Sequence, residues 1–192
     1  MPFSTEALVA DLEAALREGS PGVAVKRVVE EAVAGPAAAA AIVKEWGEPT
    51  VGGIQPVHRS DTLTVLNVVW TPGVVLYPHE HRMWACIGIY GGREDNAFFR
   101  RGPGGTGLVP SGGKRLDDHD VVLLGEDVIH QIENPGRRFT GAIHVYGGDF
   151  FAAKRSEWTD DSADAVEQPR DMERTARVFR AAQDRWEASQ QS

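Results

Sequence analysis

Between Val51 and about Ala152 the chain never sustains a helix-length pattern. Short Val/Ile/Leu/Tyr runs (TLTVLNVVW, VVLYPHEH, WACIGIY, NAFFRR, DVVLLG, VIHQIENP, GAIHVYGG) alternate with Gly, Pro, Asn and Asp turn signals. Many short strands at near-regular spacing lead to a β-sandwich or a small barrel. The glycine-rich stretch RGPGGTGLVPSGGKR has no GxxxxGK[ST] spacing and no helix after it, so it reads as a flexible hairpin loop rather than a phosphate cradle.

Both ends have a different period. Leu8, Leu12 and Leu16 recur every four residues, with Ser4 or Thr5 to cap the start and Gly19 to end the run. Val23 to Ala34 follows Pro21, and Ala37 to Trp46 lies between Pro36 and Gly47, which predicts two more helices. From Ser162 the pattern is helical again, with Met172, Ala176, Phe179, Ala182 and Trp186 on one stripe. The expected organisation is one compact domain: an N-terminal helical segment over 1–48, a barrel over 49–155 and a C-terminal helical extension over 156–192.

A chain of 192 residues can bury a core without staples. Its net charge of −8, with no dense Lys/Arg run, argues against a nucleic-acid or membrane-surface partner. The single cysteine, Cys86, forms no internal disulfide, and MPFSTEALVADLE lacks a signal peptide's basic start, so a cytoplasmic protein is expected. Monomer and homo-oligomer both remain open.

The chemistry lies in the histidines, six in all: His58, His79, His81, His119, His130 and His144. In VVLYPHEHRMW, His79 and His81 are two apart on a strand, so both imidazoles leave one face. A shared metal satisfies both lone pairs at once. His130 lies on a second strand that ends in the turn Asn134-Pro135-Gly136. Three neutral imidazoles without a carboxylate leave a divalent ion fully cationic and open to an anionic ligand, of which a thiol is the obvious one. Iron(II) is the expected ion, with zinc, nickel or manganese as divalent alternatives.

HxH, followed about fifty residues later by a strand His with Asn four positions on, is similar to the paired motifs of the cupin superfamily. The Pro72-Gly73 turn and Gly91-Gly92 fit the first motif. That resemblance implies a double-stranded β-helix barrel whose neighbouring strands bring His79, His81 and His130 together on a metal. Two departures stand out: the usual motif-one glutamate is replaced by Ala85 or Cys86, and the usual proline and glycine before the third histidine appear as Gly125 and Asp127. In GAIHVYGGDF, His144 and Tyr146 share one strand face. Over about Leu63 to Phe151 the chain resembles the thiol dioxygenases of the cysteine dioxygenase group, and more closely their 3-mercaptopropionate-type relatives. There a Ser-x-His-x-Tyr strand sets the Tyr hydroxyl over the iron with the His behind it; here Ala142 stands in place of the serine.

The resemblance implies oxidation of a small thiol with O2 to its sulfinate, with Tyr146 as acid or hydrogen-bond donor and His144 orienting it. It also implies a residue that grips a substrate carboxylate, for which Arg59, Gln55 and Arg155 are the matching candidates. Strand parity puts Tyr77, His79, His81, Met83 and Ala85 on the metal face and Cys86 on the other, so no Cys–Tyr crosslink is expected. Two other readings keep the fold. One is a metalloenzyme, dioxygenase or isomerase, acting on a non-thiol chelating ligand; the other is a metal-bearing small-molecule binding module.

Overall fold

The computed structural model describes residues 3–191. Three helices come first: α1 (Thr5–Ala15), α2 (Pro21–Ala32) and α3 (Pro36–Trp46). Ser4 caps α1, accepting a hydrogen bond from the Ala7 amide at 3.2 Å, while Pro21 and Pro36 open α2 and α3 at positions whose amides need no partner.

Eleven strands follow: β1 (Gly53–Arg59), β2 (Thr64–Trp70), β3 (Val75–Glu80), β4 (Ala85–Gly91), β5 (Glu94–Arg101), β6 (Leu108–Leu116), β7 (Val121–Leu124), β8 (Ile129–Glu133), β9 (Thr140–Tyr146), β10 (Ser156–Trp158) and β11 (Glu167–Pro169). Helix α4 (Met172–Ser189) closes the chain. One sheet has the order β1-β2-β9-β4-β7 and the other β11-β10-β3-β8-β5-β6. Stripped of β1, β10 and β11, the strands β2 to β9 divide between two facing antiparallel sheets, β2-β9-β4-β7 and β3-β8-β5-β6, in the order of a jelly roll, the double-stranded β-helix.

Both faces of the first sheet are covered, which is why β2 and β9 are buried along their whole length. Leu66, Val68, Trp70, Ala85, Ile87, Ala142 and Tyr146 point into the barrel. Val65, Cys86, Ile143 and Val145 point out, against Leu8, Leu12, Val25, Val29 and Ile42 of the helices. Gly88 lets α2 approach: a Cβ there would overlap a Val29 methyl.

Two segments differ from the sequence-based expectation. Arg101 to Arg115 is mostly the edge strand β6, paired with β5 after a short 3-10 turn at Pro103–Gly105, rather than a flexible loop. Its side chains between the buried Leu108 and Leu116 face solvent, so no hydrophobic alternation betrays it. The region after Ser162 is not helical throughout: β11 intervenes, and α4 begins at Met172 behind the cap Asp171, whose side chain accepts from the Glu173 amide at 2.8 Å. Pro169 ends the strand. The sheet therefore reaches beyond the 49–155 segment and includes β10 and β11. Among the described residues no helix is long and apolar enough to cross a membrane.

Candidate metal centre

His79 on β3 sits directly opposite His130 on β8, and His81 is the first residue past the end of β3. A bulge between Leu76 and His79 re-aims the strand, and Arg82, with φ of 57°, turns the chain immediately after His81. Glu80, between the two histidines, faces the other way into an ion-pair group with Arg82 (2.6 Å) and Arg101 (3.1 Å).

The ligand atoms of His79, His81 and His130 all lie within 4.8 Å of one another, and all three residues are buried. The His79 Nδ1–H donates to the Tyr77 carbonyl at 3.0 Å, and the His130 Nδ1–H donates to Asn96 Oδ1 at 2.7 Å. Each fixes its tautomer and leaves Nε2 with a lone pair facing the centre. The Nε2 atoms of His81 and His130 are only 2.9 Å apart. Burial, and then neighbouring positive charge, holds His79 and His81 well below the usual imidazole range, and burial brings His130 down to about 4. Three neutral, converging imidazoles, two of them with pinned outer nitrogens and His81 with a free Nδ1, fit a divalent metal ion. At the position of the absent motif-one glutamate, Ala85 faces the barrel beside Tyr146, and no carboxylate joins the three histidines.

Tyr146 stands against this cluster, its ring 4.9 Å from that of His81 and 4.5 Å from Phe150. Its hydroxyl is 3.1 Å from His144 Nδ1, and burial pushes its pKa up. Behind His144 stands a residue that the sequence reading missed. Glu94, fully buried on β5, has Oε2 at 3.6 Å from His144 Nε2 and receives hydrogen bonds from Trp70 Nε1 (2.6 Å) and Asn96 Nδ2 (2.9 Å). Burial alone would raise its pKa, but His144 and Asn96 outweigh that and hold it below the ordinary glutamate range. Glu94 thus backs both the His130–Asn96 pair and the His144–Tyr146 pair, on a strand where the resemblance supplies nothing. The one available signal was strand parity, which sets Glu94 and Asn96, two apart, on one face of the segment that runs into Ala97-Phe98-Phe99.

The three carboxylate-grip candidates separate. Gln55 is exposed and accepts from Asn67 Nδ2 (3.3 Å), which lies on the outer side of β2, away from the histidines. Arg59, at the end of β1, is about half exposed and bound through two nitrogens to Asp149 (2.9 and 2.8 Å), so its charge is already matched. The structure brings neither to the triad. Arg155 is buried, lies 3.6 Å over the Phe150 ring and leaves Nη1 without a partner. Arg170, not foreseen from the sequence, is buried nearby with Nη1 at 3.5 Å from Glu157 Oε2 but with no hydrogen bond from Nε or Nη1.

The remaining features are structural. Cys86 is buried under the helices with its thiol pushed up to about 12 by burial. Asn134, the fourth residue after His130, donates to the Trp70 and Arg138 carbonyls (2.9 and 3.0 Å) and pins a turn. In the turn Asp117-Asp118-His119-Asp120 between β6 and β7, Asp117 pairs with Arg115 and Asp118 with Arg138.

No family model matches the chain. Among solved structures, Peruvianin-I, a cysteine peptidase from Thevetia peruviana latex, matches 45% of this chain and 51% of its own at 18% identity and a TM-score of 0.37. An RmlC-like cupin with a double-stranded β-helix fold from Methanocaldococcus jannaschii matches 54% of this chain and 85% of its own at 10% identity, TM-score 0.44. A cupin superfamily protein from Desulfitobacterium hafniense matches 58% and 87% at 16% identity, TM-score 0.43. The match spans only about half the length of the first of these. The fold is a double-stranded β-helix. Its own strand order establishes that.

Proposed function

We propose that the protein is a non-haem iron dioxygenase that oxidises a small, carboxylate-bearing thiol to its sulfinate. The reaction is R–SH + O2 → R–SO2− + H+: both oxygen atoms are retained, sulfur gives up four electrons and dioxygen accepts four. The observation that carries this reading is the Tyr146 hydroxyl, held by His144 beside a carboxylate-free histidine triad.

Bound iron(II) would supply a reducing centre with open positions for sulfur and oxygen. The rest is work for the chain. Burial keeps the three imidazoles neutral and available as ligands at neutral pH. Tyr146 stays protonated for the same reason and offers its hydrogen to oxygen as negative charge develops there. Glu94 orients His144 with Nε2–H towards the carboxylate, so the bare Nδ1 accepts from the phenol O–H and holds the hydroxyl in place until it turns to oxygen. Tyr146 is the catalytic residue in this scheme, and His144 and Glu94 are positioning residues. The unpartnered Nη1 of Arg155 takes the substrate carboxylate. Phe150, between Tyr146 and Arg155, keeps water from the space between them.

Metal analysis of the purified protein, followed by oxygen uptake with 3-mercaptopropionate, cysteine and cysteamine, tests the proposal. Iron-dependent uptake with sulfinate detected by mass spectrometry is expected. Fully iron-loaded protein that turns over no thiol refutes it.

A further inference from the structure

The histidine-bearing sheet does not end at β3. β10 adds to it with Glu157 opposite His79, and β11 pairs with β10 from Ser156 against Pro169 to Trp158 against Glu167. The Arg170 amide donates to the Arg155 carbonyl at 2.9 Å, which carries the pairing one step further. The same antiparallel register sets Arg155 opposite His81 and Arg170 opposite Arg155. Directly paired residues share a face. A row His81, Arg155, Arg170 therefore runs across three strands on the side of the histidines, next to a row His79, Glu157, Gln168.

The charges along these rows do not cancel. Apart from its unpartnered Nη1, Arg155 makes one polar contact, from Nη2 to the Met172 sulfur at 3.6 Å. Arg170, its side chain 4% exposed, has Glu157 Oε2 at 3.5 Å but no hydrogen bond from Nε or Nη1. The Glu157 carboxylate is already taken by Arg174 (2.8 Å), Gln168 (3.0 Å) and the Asp171 amide (3.1 Å). Three guanidiniums thus share one carboxylate. Burial lowers the pKa of both arginines, Arg155 to about 10, and the neighbouring charge of Arg170 lowers Arg155 further. Buried cations without full compensation are costly, so two of them side by side mark a place built for negative charge. Both residues line a cleft of about 640 Å3 together with Arg82 and Lys154, while their unpartnered nitrogens lie buried behind its surface.

We propose that this row selects a short dianion, one carboxylate on Arg155 and a second on Arg170, with the ligand's remaining donor directed at the histidines. Neighbouring strands lie about 4.8 Å apart, a separation within reach of two carboxylates on a short carbon chain. The inference rests on the dioxygenase reading only for the identity of that remaining donor, a thiol.

Calorimetric titration of the full-length, zinc-loaded protein tests it without any oxygen chemistry. The probes are succinate against propionate, mercaptosuccinate against 3-mercaptopropionate, and inorganic phosphate. Each diacid should bind at least about tenfold more tightly than its monoacid, the worth of roughly one charge-assisted hydrogen bond. Arg170→Gln should bring that ratio to about one. Should this variant fail to fold, the ranking on the wild-type protein still decides. Equal binding of mono- and diacids overturns the proposal, as does phosphate binding more tightly than succinate. A diacid preference without oxygen uptake by the iron form keeps the dianion site and removes the dioxygenase. Oxygen uptake with 3-mercaptopropionate at equal binding does the reverse.

Discussion

Asn96 joins two buried groups, and its removal separates their contributions. Its Oδ1 accepts from His130 Nδ1 at 2.7 Å and its Nδ2 donates to Glu94 Oε1 at 2.9 Å, all inside the barrel. In Asn96→Ala the His130 ring loses the partner that fixes its tautomer, and metal affinity should fall about 10- to 100-fold. Glu94 loses one donor to a buried, ionised acceptor, a loss of about 1.5–3 kcal/mol. For a chain of this length each kcal/mol moves Tm by about 2–4 °C, so a 2 kcal/mol loss lowers the metal-free Tm by about 4–8 °C. Asn96→Asp keeps an acceptor for His130 but sets a second carboxylate against Glu94. It should lose less metal affinity than the alanine variant and more stability. Zinc competition against a chromophoric chelator reads the first quantity, and thermal unfolding of chelator-treated protein reads the second. If Asn96→Ala binds zinc as tightly as wild type, the orienting role assigned to this hydrogen bond is wrong.

Further outcomes follow from the same geometry. Tyr146→Phe removes the hydroxyl beside the triad and should slow oxygen uptake about 10²- to 10⁴-fold at unchanged metal content; unaltered turnover would remove Tyr146 from the chemistry. Glu94→Gln should leave metal binding close to wild type but lower kcat and shift its pH profile, because His144 loses the charge behind Nε2; a flat profile identical to wild type counts against the pair. His79, His81 and His130 are held below the unfolded-state value of about 6.5, so the unfolded chain binds protons that the fold refuses. Metal-free stability is then full above pH 6.5 and falls as pH drops from there towards 4, by up to about 1.4 kcal/mol per pH unit for each histidine. Urea titrations at a series of pH values measure it, and pH-independent stability in that window contradicts the buried neutral state. Gly88→Ala drives a methyl into Val29 and should cost about 1–3 kcal/mol while leaving zinc affinity intact.

The barrel and its three histidines were legible because strands have a period of two. His79 and His81 share a face whatever the partner strand is, and β2, β4 and β9 alternate between two buried surfaces. What escaped depends on pairing between strands distant in sequence. Asn96 meets His130 only because β5 lies beside β8, and Glu94 meets His144 only because the barrel closes. Strands β10 and β11 are three residues each, too short to display a period, and a helical stripe follows closely behind them. That is why Arg170 read as part of a helix. Arg59 and Gln55 were judged by position in the chain, whereas pairing with Asp149 and the outward face of β2 decide where their polarity goes.

The hairpin of β10 and β11 lies outside the eight strands that close the barrel, yet it extends the histidine sheet in register. The three histidines and the Arg155 and Arg170 guanidiniums therefore belong to separable pieces of the chain. Substitutions in the hairpin can redraw which anion is held without disturbing the scaffold of the three imidazoles. The register also sets the polarity of any such change. Two positions along, Glu157 and Gln168 occupy the places that Arg155 and Arg170 hold, so sliding β10 by one pleat would put a negative charge beside His81. On the proposed dianion site, ligand choice is thus a property of strand alignment, open to variation at a sheet edge while the histidine triad stays fixed at the centre.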